Sequence, residues 1–172
     1  TNNDGSIQST VRANQSAGFS IVTYSGNLTT TPGTAPTVGH GLNAAPHLII
    51  SKSRNPDGSN DGGNWFVNHS YDYSKWMRLN LTNAEQSIAS SGGGTVANPT
   101  SSVFSTYFIA GSNCNNNNYV AYCFAPVAGF SAFGTVLGTG SSDGGFAYTG
   151  FRPRFLLWRN ADATGNWGII DA

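Results

Sequence analysis

The sequence predicts an all-β fold, an antiparallel β-sandwich of jelly-roll-like character with about nine or ten short strands and few or no helices. Three observations lead there. Only 9% of the 172 residues are Asp, Glu, Lys or Arg, against roughly 25% in ordinary soluble domains. The polar surface must therefore come from Asn, Ser, Thr and the 22 glycines. Glu occurs once, at Glu85, and strong helix formers other than Ala are scarce, whereas Thr, Val, Ile and the aromatics are plentiful. Short apolar runs alternate with Gly, Pro, Asn and Ser clusters at intervals of roughly 8–12 residues, the spacing of strands joined by tight turns.

Taken in order, residues 1–16 are polar and without a strong period, a lead-in or linker with strand character around Ile7 to Val11. Gly18 to Tyr24 (GFSIVTY) is a strand with mixed faces. Thr29 to Thr37 is a loop punctuated by Pro32 and Pro36. Val38 to Leu42 (VGHGL) is rich in turn formers, and His47 to Ser51 (HLIIS) has the continuous apolar character of a buried strand. Arg54 to Asn64 contains little but turn residues. Trp65 to His69 follows as a strand. Tyr71 to Leu81 mixes aromatic and charged residues, either a strand after a loop or one helical turn and a strand. A short helical turn is expected near Ala84 to Ile88, a Gly/Ser loop from Ser90 to Pro99, and a strand over Val103 to Ile109. Tyr119 to Ala125 (YVAYCFA) is the clearest strand, bounded by an Asn run and Pro126. Phe130 to Leu137, Phe146 to Tyr148, Phe155 to Trp158 and Trp167 to Ile170 complete the set.

The two parts of the chain echo each other. Gly18-Phe19-Ser20, the glycine turn of Val38 to Leu42, Pro46 with its apolar strand, and Asn64-Trp65 with its strand recur in the same order. Their counterparts are Gly129-Phe130-Ser131, Tyr148-Thr149-Gly150-Phe151, Pro153 to Leu157, and Asn166 to Ile169. Repeated order marks duplicated β units, whose hydrophobic faces are buried against neighbours. The expected organisation is a lead-in at 1–16, a first β unit at 17–128, and the start of a related unit at 129–172, which packs either separately or with the first as one sandwich. The shorter second copy and the absence of an initial Met lead us to expect a piece of a longer repetitive polypeptide.

The balance of eight Lys plus Arg against eight Asp plus Glu gives no electrostatic drive toward nucleic acid or an anionic membrane. No apolar run reaches the roughly 18 residues of a membrane-spanning helix. Cys114 and Cys123 are either two thiols, with Cys123 buried in an apolar strand, or a disulfide across a hairpin turning at Asn115 to Asn118.

Enzymatic readings find little support. Glycoside hydrolysis generally uses two carboxylates at a defined separation, whereas Asp4, Asp57, Asp61, Asp143 and Asp162 stand in turn-forming surroundings, and no G-x-S-x-G elbow occurs. No cofactor is expected. Asp57, Ser59 and Asp61, followed by Gly62, resemble the first half of a calcium loop, but the twelfth position is Asn68 rather than Glu. An ordinary solvated loop explains them better. His40, between two glycines, is read as a turn residue whose ring packs on a neighbour, with a ligand or pH-sensing role as the alternative. Tyr71, Tyr73 and Trp76, close to Lys75 and Arg78, are the candidate ligand contacts, since aromatics beside polar groups stack on sugars or anchor protein interfaces. Covering the edge of the core is their alternative use. The sequons at Asn14, Asn27, Asn68 and Asn80 are treated as chance matches.

The motifs GHGL-x-x-AP, AYCFA-x-V-x-GFS and YTGFRP, with TNNDGSIQSTVRANQSAGFSIVTYSGN, NWFVNHS, LNLT, NPTSSVF and GNWGIIDA, closely resemble a domain of unknown function. That domain occurs, often repeated, in large tail-fibre or structural proteins of marine and environmental bacteriophages. The resemblance covers nearly the whole chain. It implies a β-rich virion component without an established catalytic site, displayed on the particle surface. It also implies homo-oligomers, commonly trimers, that contact other virion proteins. The expected function is thus a non-enzymatic tail-fibre or spike module that spaces or presents a host-surface binding site, the ligand being a surface polysaccharide. A capsid or tail decoration protein without receptor role and a secreted glycan-active enzyme are the other readings.

Overall fold

The computed structural model describes residues 1–27, 35–55, 63–88, 96–106 and 117–172. Among these residues there are strands and turns but no helix. The strands are β1 (Ser9–Asn14), β2 (Phe19–Ser25), β3 (Thr37–Gly39), β4 (Leu48–Ser53), β5 (Phe66–His69), β6 (Lys75–Arg78), β7 (Gln86–Ser87), β8 (Val103–Ser105), β9 (Asn118–Phe124), β10 (Phe155–Trp158) and β11 (Gly168–Asp171). The all-β antiparallel class is the one that composition and periodicity predict.

Seven strands form one sheet in the order β1-β2-β9-β4-β5-β6-β7, and β3-β8 and β10-β11 form two-stranded sheets. The large sheet is a meander into which β9 is inserted. It separates β2 from β4, with Val22 opposite Ala121 on one side and Ile50 opposite Tyr122 on the other. Alternation along the strands sends Val22, Tyr24, Ile49, Tyr119, Ala121 and Cys123 to one face. The β3-β8 pair lies over that face and closes the core with Val38 and Phe104, joined by Ile7, Leu42 and Tyr73. The sandwich is therefore unequal, seven strands against two. A second cluster of Phe66, Trp76 and Ile88, with Val96 packed on it, sits toward β5, β6 and β7.

The first 16 residues belong to this body. Ile7 is buried and bridges Val38, and Asn2 bridges Ser9. Asn2 passes so close to Gly39 that a Cβ there would fall 1.7 Å from Asn2 Oδ1. The VGHGL turn holds β3 itself, because Val38 finds Phe104 as its partner. The helical turn expected near Ala84 to Ile88 is not formed. Gln86 and Ser87 extend instead to pair with Trp76 and Lys75, so a neighbouring ladder outweighs local helix preference. Phe130 to Leu137 and Phe146 to Tyr148, expected as strands, run without a ladder apart from the bridge between Val127 and Ser131. The calcium-loop residues Asp57, Ser59 and Asp61, and Cys114, lie outside the described residues. Cys123 is a free thiol in the core, and burial pushes its pKa up to about 12.

Candidate functional site

The richest cluster of charged and aromatic groups forms where the β5–β6 turn meets β7. Asp72 shapes the turn by accepting from the Ser74 amide at 2.9 Å and the Ser74 hydroxyl at 2.5 Å, an Asx-type turn. Those bonds, the hydroxyl first, hold the Asp72 carboxyl below its usual range. The turn pushes Tyr71 outward, and Tyr71 is 69% exposed. Its ring lies beside that of His69, with centroids 6.3 Å apart. His69 Nε2 is 2.7 Å from Glu85 Oε1, and Lys75 Nζ is 3.0 Å from Glu85 Oε2. The carboxylate bond raises the Lys75 pKa. Asp72 completes the set at 3.8 Å from Lys75. The single Glu of the chain thus bridges a His and a Lys beneath an exposed phenol ring. That arrangement offers a stacking plane beside hydrogen-bonding groups, the chemistry a sugar or a polar protein surface requires.

Tyr73 and Trp76 do not share this surface. Tyr73 turns inward, where its hydroxyl donates to the Pro46 carbonyl at 2.6 Å, and burial raises the phenol pKa. Trp76 is buried against Phe66 at 5.0 Å between ring centroids, with the Arg78 guanidinium 4.5 Å from the Trp76 ring. Of the three aromatic residues, only Tyr71 presents its ring to solvent. The sequence showed their proximity but not their facing, since Tyr71 and Tyr73 lie in a turn where strand alternation does not apply.

Sequence reasoning missed a second aromatic surface. On the sheet face away from β3-β8, Phe19 stacks near Tyr122 at 6.4 Å and tilts against Phe124 at 4.9 Å, and Trp65 lies 6.1 Å from Tyr122. Phe133 covers one end, 6.4 Å from Phe124. The available signal was β9 itself, because an unbroken YVAYCFA run belongs to a strand packed on both faces. Where β1, β2 and β9 run together, a shallow polar groove of about 250 Å³ is lined by residues including Gln8, Thr10, Thr23, Arg54 and Asn118.

His40 fills a structural position. It is buried, its Nδ1 accepts from the Leu42 amide at 3.2 Å, and its Nε2 lies 3.1 Å from the Thr100 carbonyl. Both nitrogens are thereby used by backbone, which fixes the neutral Nε2–H tautomer, and burial lowers the pKa. Among the described residues, no three His, Cys, Asp or Glu side chains are grouped so as to hold a metal ion.

The family model of DUF7483, a domain of unknown function, matches residues 1–172. The chain belongs to the DUF7483 family. No curated protein and no solved structure matches it.

This DUF7483 domain carries one hairpin twice. In β4-β5, Leu48 pairs with His69 and Ser51 with Phe66. In β10-β11, Phe155 pairs with Asp171 and Trp158 with Gly168. Pro46 and Pro153 precede the two hairpins, and Asn64-Trp65 and Asn166-Trp167 precede their second strands, so the registers coincide residue for residue. The Ser70 amide donates to the His47 carbonyl at 2.8 Å, and at the corresponding place the Ala172 amide donates to Arg154 at 2.8 Å. Lys52 Nζ lies 5.5 Å from the Trp65 ring centre, and Arg159 Cζ lies 5.4 Å from that of Trp167. Gly18 and Gly129, at φ 62° and 74°, open the two GFS turns in the left-handed region.

The second hairpin is anchored at its loop end. Arg159 Nη1 donates to the Arg78 and Leu81 carbonyls at 2.8 Å each, and Nη2 reaches Asn83. Trp167 Nε1 donates to Arg78 at 2.9 Å, and the Gly165 amide to Thr82 at 2.9 Å.

Proposed function

We propose that this DUF7483 domain is a non-enzymatic structural module of a bacteriophage tail fibre or spike. In this reading it is displayed on the virion surface, assembles with copies of itself and other virion proteins, and spaces or presents a contact to host-surface polysaccharide. The observation that carries the reading is the distribution of exposed apolar side chains. Phe130, Val136, Leu137, Phe146, Tyr148, Phe155, Leu156, Trp158, Ile169 and Ile170 are exposed and all belong to the last part of the chain, whereas among the other described residues the exposed large apolar side chains are Ile21, Tyr71 and Leu81. Leu137, Phe146 and Tyr148 are each more than 80% exposed. Large apolar side chains left exposed in such number suit a surface used in assembly. The virion setting is supported by the resemblance in GHGL-x-x-AP, AYCFA-x-V-x-GFS and YTGFRP. The host-contact part is supported by the solvent-facing Tyr71 ring above the His69–Glu85–Lys75 network.

The test is adhesion of the fluorescently labelled domain to cells of the host bacterium, with and without a competing surface-polysaccharide extract. Saturable adhesion abolished by the extract, and reduced at least fivefold by Tyr71→Ala, is the expected result. Absence of adhesion from a folded sample would assign the domain to capsid or tail decoration, which the same exposed apolar side chains also suit.

A further inference from the structure

In its second copy, the repeated hairpin carries a strand with one neighbour among the described residues where the first copy has two. In the first copy, the edge of β4 away from β5 is covered by β9 over six residue pairs, from Leu48 opposite Phe124 to Ser53 opposite Tyr119. In the second copy, β10 pairs only with β11 among the described residues. We propose that the open edge of β10 is a strand-capture site for an extended partner segment patterned like β9, bound antiparallel in the register that β4 uses.

The partner's chemistry follows from the shared register. Transferring the β4–β9 pairs places Phe155 opposite a Phe124-like residue, Leu156 opposite a Cys123-like residue, Leu157 opposite a Tyr122-like residue and Trp158 opposite an Ala121-like residue. The bulkiest side chain of β10 thus meets the smallest of the incoming strand. Because the Arg154 carbonyl accepts from Ala172, antiparallel alternation turns the amides and carbonyls of Leu156 and Trp158 toward β11 and those of Phe155 and Leu157 toward the open edge. Both faces of β10 are apolar, with Phe155 and Leu157 on one and Leu156 and Trp158 on the other, which is the pattern of a strand with neighbours all around it. An unpaired, apolar strand edge is a template for β-augmentation. Gly168 adds a constraint, since the Trp158 ring lies across it and a Cβ there would fall 2.3 Å from Trp158 Cε2.

The inference rests on the assembly part of the proposed function and not on the host-contact part, so cell adhesion does not enter its test. The probe is a labelled peptide of the β9 sequence, NYVAYCFA, added to the complete chain under reducing conditions. In β9 the Asn118 carbonyl accepts from Arg54 and the Phe124 carbonyl from His47, while Asn117 accepts from Gly26 and the Ala125 amide donates to Gly18. The amides of Val120, Tyr122 and Phe124 therefore face β4, and those of Tyr119, Ala121 and Cys123 face β2. Two further peptides carry N-methyl groups on one set or the other.

Saturable binding of the unmodified peptide is expected. Methylation at Tyr119, Ala121 and Cys123 should leave binding within about threefold, and methylation at Val120, Tyr122 and Phe124 should weaken it at least tenfold. The Phe155 and Leu157 amides should gain at least tenfold protection from hydrogen exchange. Equal binding of both methylated peptides would show apolar adhesion without a ladder and overturn the proposal. Absence of binding, a gain of protection elsewhere than β10, or pairing of β10 with a second copy before peptide is added would overturn it equally.

Discussion

At the residue scale, glycine and histidine do work that the sequence only half announces. Gly18 opens a motif that reads as a turn because its residue tolerates φ > 0. The sequence does not show that its neighbour is the Ala125 carbonyl, to which a Cβ at Gly18 would come within 2.4 Å. Gly129 has the same left-handed backbone but nothing within 4 Å. Gly18→Ala should therefore cost about 2–3 kcal/mol and Gly129→Ala no more than about 1 kcal/mol, from the backbone strain of a non-glycine residue in that region. Urea unfolding of the two variants separates these costs. His40 makes stability depend on pH. Its folded pKa lies below the ordinary 6.5 because burial disfavours the charged ring. Its contribution is complete where the unfolded ring is also neutral, above about 6.5, and is lost as pH falls, because the unfolded chain takes up the proton first. Thermal unfolding between pH 8 and 5 should show falling stability, and His40→Gln should flatten that slope.

At the scale of elements, strand character was legible where a segment both alternates and finds a partner. Tyr119 to Ala125 and Phe155 to Trp158 were predicted closely for that reason. Phe130 to Leu137 also holds strand-forming residues but gains only the bridge of Ser131 to Val127 within the described residues, and preference alone does not make a ladder. Ala84 to Ile88 failed in the opposite sense, because β6 captured a segment with helical leanings. The candidate site was legible to a smaller degree. Tyr71 was found, but its polar companions His69 and Glu85 come from other elements, and no spacing in the sequence joins them. Tyr73 and Trp76 belong to packing, which mutation should reveal. Tyr73→Phe leaves the Pro46 carbonyl without its donor and should cost about 1–2 kcal/mol. Trp76→Ala empties the second core cluster and should cost roughly 3–5 kcal/mol. Tyr71→Ala should stay within about 0.5 kcal/mol of the parent, as exposed positions do. Chemical denaturation of the three variants gives that order or refutes it.

At the scale of the whole molecule, composition and turn spacing were enough for the all-β class, whereas strand order was not. Inserting β9 between β2 and β4 joins residues about a hundred positions apart, such as Val22 and Ala121, and no local pattern encodes such a pairing. The repeat was visible in the order of its motifs, and its physical content lies in the matched registers of β4-β5 and β10-β11. One hairpin is built into a seven-stranded sheet, and among the described residues the other pairs within itself and is anchored at its loop end. Site-resolved amide hydrogen exchange on the isolated chain tests this contrast most directly. Leu156 and Trp158 should be protected by β11 while Phe155 and Leu157 exchange at close to unprotected rates, and Leu48 and Ile50 should be slow at the equivalent positions in β4. Protection of all four β10 amides alike, or of none of them, would contradict a second hairpin that is formed but open along one edge.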